Sequence, residues 1–306
     1  MLPSYWGNEI IYAKTQQMEG EDKVNTIFIG SSRVHCHINP KQFDKETDEA
    51  SFSWNIGAPG AAGLEVQRIV RDIVNTAHSH NIKTIYAEMP RYTPPPIQNE
   101  GNLRASYFYT VPQWYRSVRF TINRKKPLKK RVSIIIDSAR PLIANLIGIN
   151  TLRHQLKGLF DNNLAGNIKT SQKRGFSGLK GTVKNYGPVK TRLQNARNFY
   201  SNSADSVELE NDYLTADLSQ LIEKAEKKGI RIVYVLMPKI PLSMYEDNFH
   251  SLKQLHAKNK LNLSSPVDYP KFYEPKYSSD KAHLNIHGAK IMTSLFAEHY
   301  NQYVEK

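Results

Sequence analysis

Cysteine is nearly absent from this chain. Cys36 stands alone, so no internal disulfide can form and no second cysteine completes a zinc site. Long apolar runs are missing too, and none reaches the ~18 residues that a membrane-spanning helix needs. The first twenty residues, Met1 to Gly20, lack the apolar centre of a secretion signal, although a chain trimmed of an upstream anchor would read the same way. Acidic residues are scarce in one place only. From Trp114 to Arg192 there are 18 Lys+Arg and 2 Asp+Glu, a net +16, whereas the remainder holds 24 basic and 26 acidic residues, a net −2. The overall charge of +14 therefore resides in one internal segment. A basic block inside a neutral frame points to a local surface that faces something anionic. The clusters Arg124-Lys125-Lys126 and Lys129-Lys130-Arg131 come with no recognition motif of the nucleic-acid-binding folds, so nucleic acid is not the expected partner.

What the chain does contain is 306 residues, 40% of them hydrophobic, which suits one large domain with a sizeable insertion. Short apolar runs at Thr26–Ile29, Ser51–Ile56, Ile82–Ala87 and Ile230–Leu236 read as strands. Between and after them, Leu64–Ala77, Tyr213–Lys227 and Asn285–Tyr303 have helical periodicity, with Gly229 as a C-terminal stop and Asn285 as an N-cap. Strand–helix alternation of this kind predicts an α/β fold, a three-layer doubly wound parallel sheet with helices on both faces. Ile82 to Arg91 echoes Ile230 to Lys239, each strand ending in Met-Pro and a cation. Both corners are expected at the carboxyl ends of strands, where open α/β sheets place their sites. From about 92 to 205 the alternation fails. That stretch reads as a long basic insertion, partly helical, with an apolar segment Val132–Leu156 that Pro141 should kink or divide.

Three short constellations carry chemistry. Ile29-Gly30-Ser31-Ser32-Arg33 follows the first strand directly, and a nucleophilic serine needs such a tight strand-to-helix turn to expose its hydroxyl. The same residues also fit a polar turn with a helix cap. Asp280-Lys-Ala-His283 precedes the last helix, and an Asp three residues before a His can hold the imidazole as a base. It also fits an Asp cap beside a surface His. Asn55-Ile56-Gly57-Ala58-Pro59-Gly60 ends the second strand, where Gly57 can offer an unhindered N–H to a developing oxyanion, or simply make a Gly-Pro turn.

In the order Ser, Gly, Asp-x-x-His, the three together resemble the SGNH (GDSL-like) hydrolase superfamily. Gly30-Ser31-Ser32 stands where that family carries Gly-Asp-Ser, Gly57 where it carries its oxyanion glycine, and Asp280 and His283 where it carries its C-terminal pair. The resemblance implies a flavodoxin-like sheet, Ser32 as nucleophile, His283 as base, Asp280 as its orienting partner, and the N–H groups of Ser32 and Gly57 as oxyanion donors. It implies no cofactor and no metal. Two departures stand out. Ser31 replaces the family's Asp, and its third block, Gly-x-Asn-Asp, has no match, the position reading Glu88-Met89-Pro90-Arg91. A Gly-Ser-Ser start without that Asn is similar to SGNH-like proteins that handle acyl groups on cell-surface polymers alongside membrane-bound acyltransferases. This implies an esterase or O-acyltransferase acting on acylated carbohydrate at the cell envelope. A decayed frame that only binds an anionic polysaccharide or a membrane surface is the alternative.

Arg33, Asn55, Arg91 and Lys239 flank these blocks and are candidate substrate-binding residues, with solvated surface charge as the other reading for the cations. His35, Cys36 and His37 make a tempting His-x-His, but no carboxylate cluster completes a metal set, and they fit a helix following the nucleophile. Tyr107, Tyr109, Trp114 and Tyr115 can stack on sugar rings or belong to the core.

Overall fold

The computed structural model describes residues 9–61, 63–76, 81–90, 110–122, 127–147, 174–202 and 212–304. The apolar runs form strands because they are buried on both sides: β1 (Thr26–Ile29), β2 (Ser53–Asn55) and β3 (Thr84–Glu88) throughout, and β4 (Arg231–Leu236) in all but its first residue. A fifth strand, β5 (Lys260–Asn262), is short and half-buried, and lies outside the four that the sequence predicts. The sheet order is β2-β1-β3-β4-β5, and every neighbouring pair is parallel. The chain is therefore an α/β protein built on an all-parallel sheet.

Ten helices of the described residues matter here: α1 (Glu9–Glu19), α2 (Ser32–His37), α3 (Pro40–Glu46), α4 (Gly63–Asn75), α5 (Val111–Ile122), α6 (Leu128–Leu146), α7 (Gly187–Asn202), α8 (Asp212–Glu226), α9 (Leu242–Gln254) and α10 (Ile286–Val304). Side chains alternate across a sheet, so their neighbours assign the faces. On one face Phe28 and Tyr86 stack 5.6 Å apart and meet Phe43 of α3 and Phe296 of α10. On the other, the hydroxyl of Tyr234 donates to Oε1 of Gln67 on α4 at 3.1 Å. Tyr86 and Tyr234 are equivalent in the two Met-Pro echoes. Tyr234 pairs with Ala87 rather than Tyr86, however, and that offset of one residue sends the two rings to opposite faces. Both Met-Pro corners follow the carboxyl ends of their strands, as expected.

The expected helix ends are present. Gly229 takes a φ of 71°, and the Ile230 N–H reaches back to the Ala225 carbonyl at 2.9 Å, closing α8 in a Schellman turn. Oδ1 of Asn285 accepts from the N–H groups of His287 and Gly288 at 3.0 and 3.1 Å, capping α10. The expected break at Pro141 is not there: α6 runs unbroken from Leu128 to Leu146. Packing on either side of the proline carries the helix across it, with Nε1 of Trp114 on Ser138 Oγ at 3.0 Å and Leu142 buried.

Part of the basic stretch is stitched directly onto the sheet. Arg174 accepts the Asn55 N–H at 3.0 Å through its carbonyl, pairs with the buried Asp44 carboxylate and lays its guanidinium over the Phe52 ring. Gly175 follows with a φ of 84°, so close to the Asn55 carbonyl that a Cβ would sit 2.0 Å from its oxygen. Further along, Ser177 donates to the His35 carbonyl, Val183 to that of Ser278, and Leu179 accepts from Ile286, all at 2.8–3.0 Å. The segment thus ties α2 to the loop before α10.

Beneath α2, the fully buried Lys14 of α1 donates to the Gly57 carbonyl and to Nδ1 of His35 at 2.8 Å. Burial depresses the Lys14 ammonium to about 7, Cys36 acting weakly the other way. Burial and then the Lys14 charge hold His35 at about 4. Each is a base whose folded pKa lies below its unfolded value, so the unfolded chain binds more protons between the two. His35 and His299, also depressed to about 4, therefore add stability as pH rises from 4 to 6.5, and Lys14 does so above 7. Thermal unfolding midpoints are expected to climb from pH 5 to pH 9. Lys239 is depressed to about 7 as well, so replacing Lys14 by Met should lessen the climb above pH 7 without abolishing it, and a midpoint that falls between pH 7 and 9 in the native chain would contradict this account.

Candidate active site

Strand β1 ends against a glycine that nothing larger can replace. A Cβ on Gly30 would lie 2.3 Å from Val34 Cγ2 and 2.8 Å from Glu88 Cβ, so the chain turns sharply between β3 and α2. Ser31 caps α2, its Oγ accepting from the Arg33 N–H at 3.3 Å, and Ser32 is the first helical residue. At that position the Ser32 N–H has no partner within the helix. The turn sits where the connections reverse, at the carboxyl ends of β1 and β3, the crevice in which open α/β sheets bind ligands.

The second half of the site is the loop from Ser278 to Leu284, closed by an antiparallel bridge between those two residues. The His283 carbonyl accepts from the Ser279 N–H at 3.0 Å, and Oδ1 of Asp280 accepts from the Ala282 and His283 N–H groups at 2.7 and 2.9 Å. This winding brings Oδ2 of Asp280 to 2.8 Å from Nδ1 of His283 and leaves Nε2 pointing at the serine. Ser32 Oγ lies 2.6 Å from that Nε2. Burial pushes the Asp280 carboxyl up, but the Ala282 N–H, the His283 ring and the His283 N–H together outweigh it and hold the group below its usual range. Asp280 is thus a carboxylate at neutral pH, and it fixes the proton of His283 on Nδ1.

The sequence-predicted triad residues therefore converge. Several of the other predicted residues do not face a substrate. The N–H of Gly57, expected as an oxyanion donor, instead donates to Oδ1 of Asn55 at 2.9 Å, and the residue packs under α2, where a Cβ would lie 2.5 Å from the His35 nitrogen. Asn55, expected to bind substrate, is fully buried, its amide donating to the Val34 and Ile38 carbonyls at 2.7 and 2.8 Å. Both of its amide hydrogens go to holding α2 against β2. Lys239 is neither a substrate ligand nor a solvated charge. It is 0% exposed, and its Nζ donates to Ser278 Oγ and to the His283 carbonyl, both at 2.9 Å. Arg33 is mostly buried and pairs with Glu88 at 3.3 Å. Arg91, Tyr107 and Tyr109 lie outside the described residues. Trp114 packs inward through Ser138, while Tyr115 is exposed.

Three residues to which the sequence reading assigns no role in the site pack around it. Glu88 ends β3, its Oε2 accepting the Ser31 N–H at 2.7 Å and its Oε1 the Arg33 guanidinium. A lone carboxylate closing an otherwise apolar strand was the signal available for it. His37 is buried, and its Nε2 accepts the Leu284 N–H at 2.8 Å while its ring meets that of His283 edge-on at 6.0 Å. Burial, then the charges of His283, Arg33 and Lys239, hold His37 neutral. Tyr273 donates to the Ser264 carbonyl at 2.8 Å and accepts from the Lys239 N–H. Among the described residues no group of three or more His, Cys, Asp or Glu side chains is placed to hold a metal ion. No protein-family model matches the chain, and no curated protein matches its sequence.

Such an array can deprotonate a serine hydroxyl and deliver the oxygen to an electrophilic carbon or phosphorus. Two substitutions test what holds it. Asn55→Ala removes three buried hydrogen bonds at once and is expected to destabilise the fold by ~3 kcal/mol, read by denaturant unfolding. Lys239→Met should keep the far-UV dichroism of the native chain but slow fluorophosphonate labelling of Ser32 by ~10-fold or more, because His283 loses its anchor. An unchanged labelling rate would mean that Lys239 only fills space.

Proposed function

We propose that this chain is a serine acyl-transfer enzyme of the SGNH kind, acting as an esterase or O-acyltransferase on acyl groups, acetyl foremost, carried by carbohydrate. The observation that carries the reading is the continuous line Asp280–His283–Ser32, with contacts of 2.8 and 2.6 Å, at the carboxyl edge of a parallel sheet. The strand order β2-β1-β3-β4-β5 supports the finer fold assignment, a flavodoxin-like doubly wound sheet. Carbohydrate as substrate and the cell envelope as location rest on the resemblance of Gly30-Ser31-Ser32 and Asp280-x-x-His283 to the family.

In this reading Ser32 Oγ attacks the acyl carbon as its proton passes to Nε2 of His283. Asp280 stabilises the imidazolium and keeps its orientation. The oxyanion forms against the Ser32 N–H at the start of α2. Collapse expels the alcohol, which takes the proton from His283 and leaves an acyl-serine. Water then releases the acid, or a sugar hydroxyl takes the acyl group, with His283 removing the proton of either. No cofactor enters these steps.

A second reading has its own observation. Gly57 spends its N–H on Asn55, and Glu88, an acceptor, stands where the family carries an amide donor. Losing one oxyanion donor slows catalysis by ~10²–10³, which favours a catalytically weak scaffold that binds an anionic polymer. Kinetics on p-nitrophenyl acetate separates the two. Ser32→Ala and His283→Ala are each expected to remove nearly all turnover, and the double variant to lose little more than either alone, because the residues act as a unit. Turnover that survives Ser32→Ala, or losses that simply add, would remove the triad. Polymer binding with no turnover and no fluorophosphonate labelling would leave the scaffold.

A further inference from the structure

Helix α6 is oriented inside out. At 3.6 residues per turn, Leu128, Val132, Ile136, Ile143 and Leu146 fall within about a quarter of its circumference, and all five are 45–69% exposed. The side that α6 turns inward carries the polar Ser138, bonded to Trp114 of α5, next to Leu142. Helix α5 repeats the pattern. Gln113, Ser117 and Thr121 are buried together with Phe120, whereas Val111, Tyr115 and Ile122, spaced along one face, are 48–54% exposed. A helix of a water-soluble surface does the opposite and hides its apolar stripe. Large contiguous apolar exposure marks an interaction site.

Charge identifies the occupant. The first turn of α6 carries Lys129, Lys130 and Arg131 beside the apolar stripe, Arg119 is exposed on α5, and the segment Trp114–Arg192 as a whole is net +16. Apolar residues bordered by cations match the boundary of an anionic bilayer, where acyl chains meet phosphate headgroups. No helix of the described residues is long and apolar enough to cross a membrane, so the matching geometry is a helix lying in the plane of the interface. We propose that the exposed apolar faces of α5 and α6 are a docking surface for an anionic lipid membrane. The proposal does not depend on the triad, and its test reads binding alone.

The experiment is co-sedimentation of the intact chain with vesicles of phosphatidylcholine alone and of equimolar phosphatidylcholine and phosphatidylglycerol, at low and high salt. Binding to the anionic vesicles, weakened by salt and negligible on neutral ones, is the expected result. The pair Ile136→Asp and Ile143→Asp should abolish it, and Lys129→Ser and Lys130→Ser should each weaken it roughly 5-fold. Native far-UV dichroism and an unchanged thermal unfolding midpoint show that each variant is folded. Equal binding to both vesicle types, or binding that survives the double Asp variant, would overturn the proposal. So would a dimer in sedimentation equilibrium that Ile136→Asp dissociates while vesicles go unbound, because the face would then belong to a second copy of the chain. Retention on an anionic polysaccharide without vesicle binding would overturn it as well.

Discussion

Ser32 and His283 share a 2.6 Å hydrogen bond across 251 positions of sequence, and much of the fold around the sheet's carboxyl edge exists to hold those two loops in register. A triad works only at hydrogen-bond distance, and displacement by about an ångström costs ~10²-fold in rate. The serine loop is fixed by close packing: Gly30 lets Val34 and Glu88 approach so tightly that no Cβ fits between them. The histidine loop is fixed by clamps on both sides of one peptide group, the amide that joins His283 to Leu284. Lys239 takes the His283 carbonyl and His37 takes the Leu284 N–H. Because His37 rides on α2, five residues after Ser32, the Ser32 and His283 side chains are referenced to the same short helix.

Both lysines that serve this architecture are buried, and burial of an ammonium is expensive unless its three donors are met. Lys239 is lowered to about 7 by burial first, with Asp280 opposing and Arg33 adding to the fall. Its backbone is also left-handed, with a φ of 59°. A lysine at such a φ costs about 1–3 kcal/mol and persists only where the surroundings over-determine it. Here Ser278, the His283 carbonyl and the Tyr273 hydroxyl do so. Lys14 plays the matching part under α2, joining α1, His35 and the Gly57 carbonyl. A charge that is merely solvated asks for none of this, so these two sites are where the molecule trades stability for placement.

The strands β1, β3 and β4 were legible because parallel strands buried on both faces leave continuous apolar runs. The strand β5 was not, because Lys260-Leu-Asn262 is a half-buried edge with no such run. The convergence of Ser32, Asp280 and His283 is legible because the proposed triad needs fixed residue types at short local spacings, and the fold brings the two pieces within hydrogen-bond reach. Gly57 was misjudged for a reason no spacing reveals. Its N–H is taken by the side chain of Asn55 two residues earlier, a choice made by the rotamer of a buried amide. Lys239 was misjudged because a cation after a strand usually reaches water, and only the loop folded over it closes that route. Pro141 does not divide α6, since packing by Ser138 and Leu142 on either side of it carries the helix across.

Glu88 is where the local electrostatics of the proposed chemistry are decided. An amide at the end of β3 would donate to a developing oxyanion; a carboxylate can only accept. Its negative charge, accepting the Ser31 N–H, disfavours an anion forming next to Ser32 unless it is balanced. Arg33 supplies the balance at 3.3 Å, and Arg192 of α7 lies near enough to feel the Arg33 charge, its guanidinium lowered first by burial and then by that repulsion. In the proposed reaction the part of the missing amide donor would fall to these cations, whose field stabilises an oxyanion with less geometric discrimination than a hydrogen bond and would also attract an anionic substrate. The basic segment contributes Arg192 to this field, so its charge bears on the site as well as on the outer surface of α5 and α6.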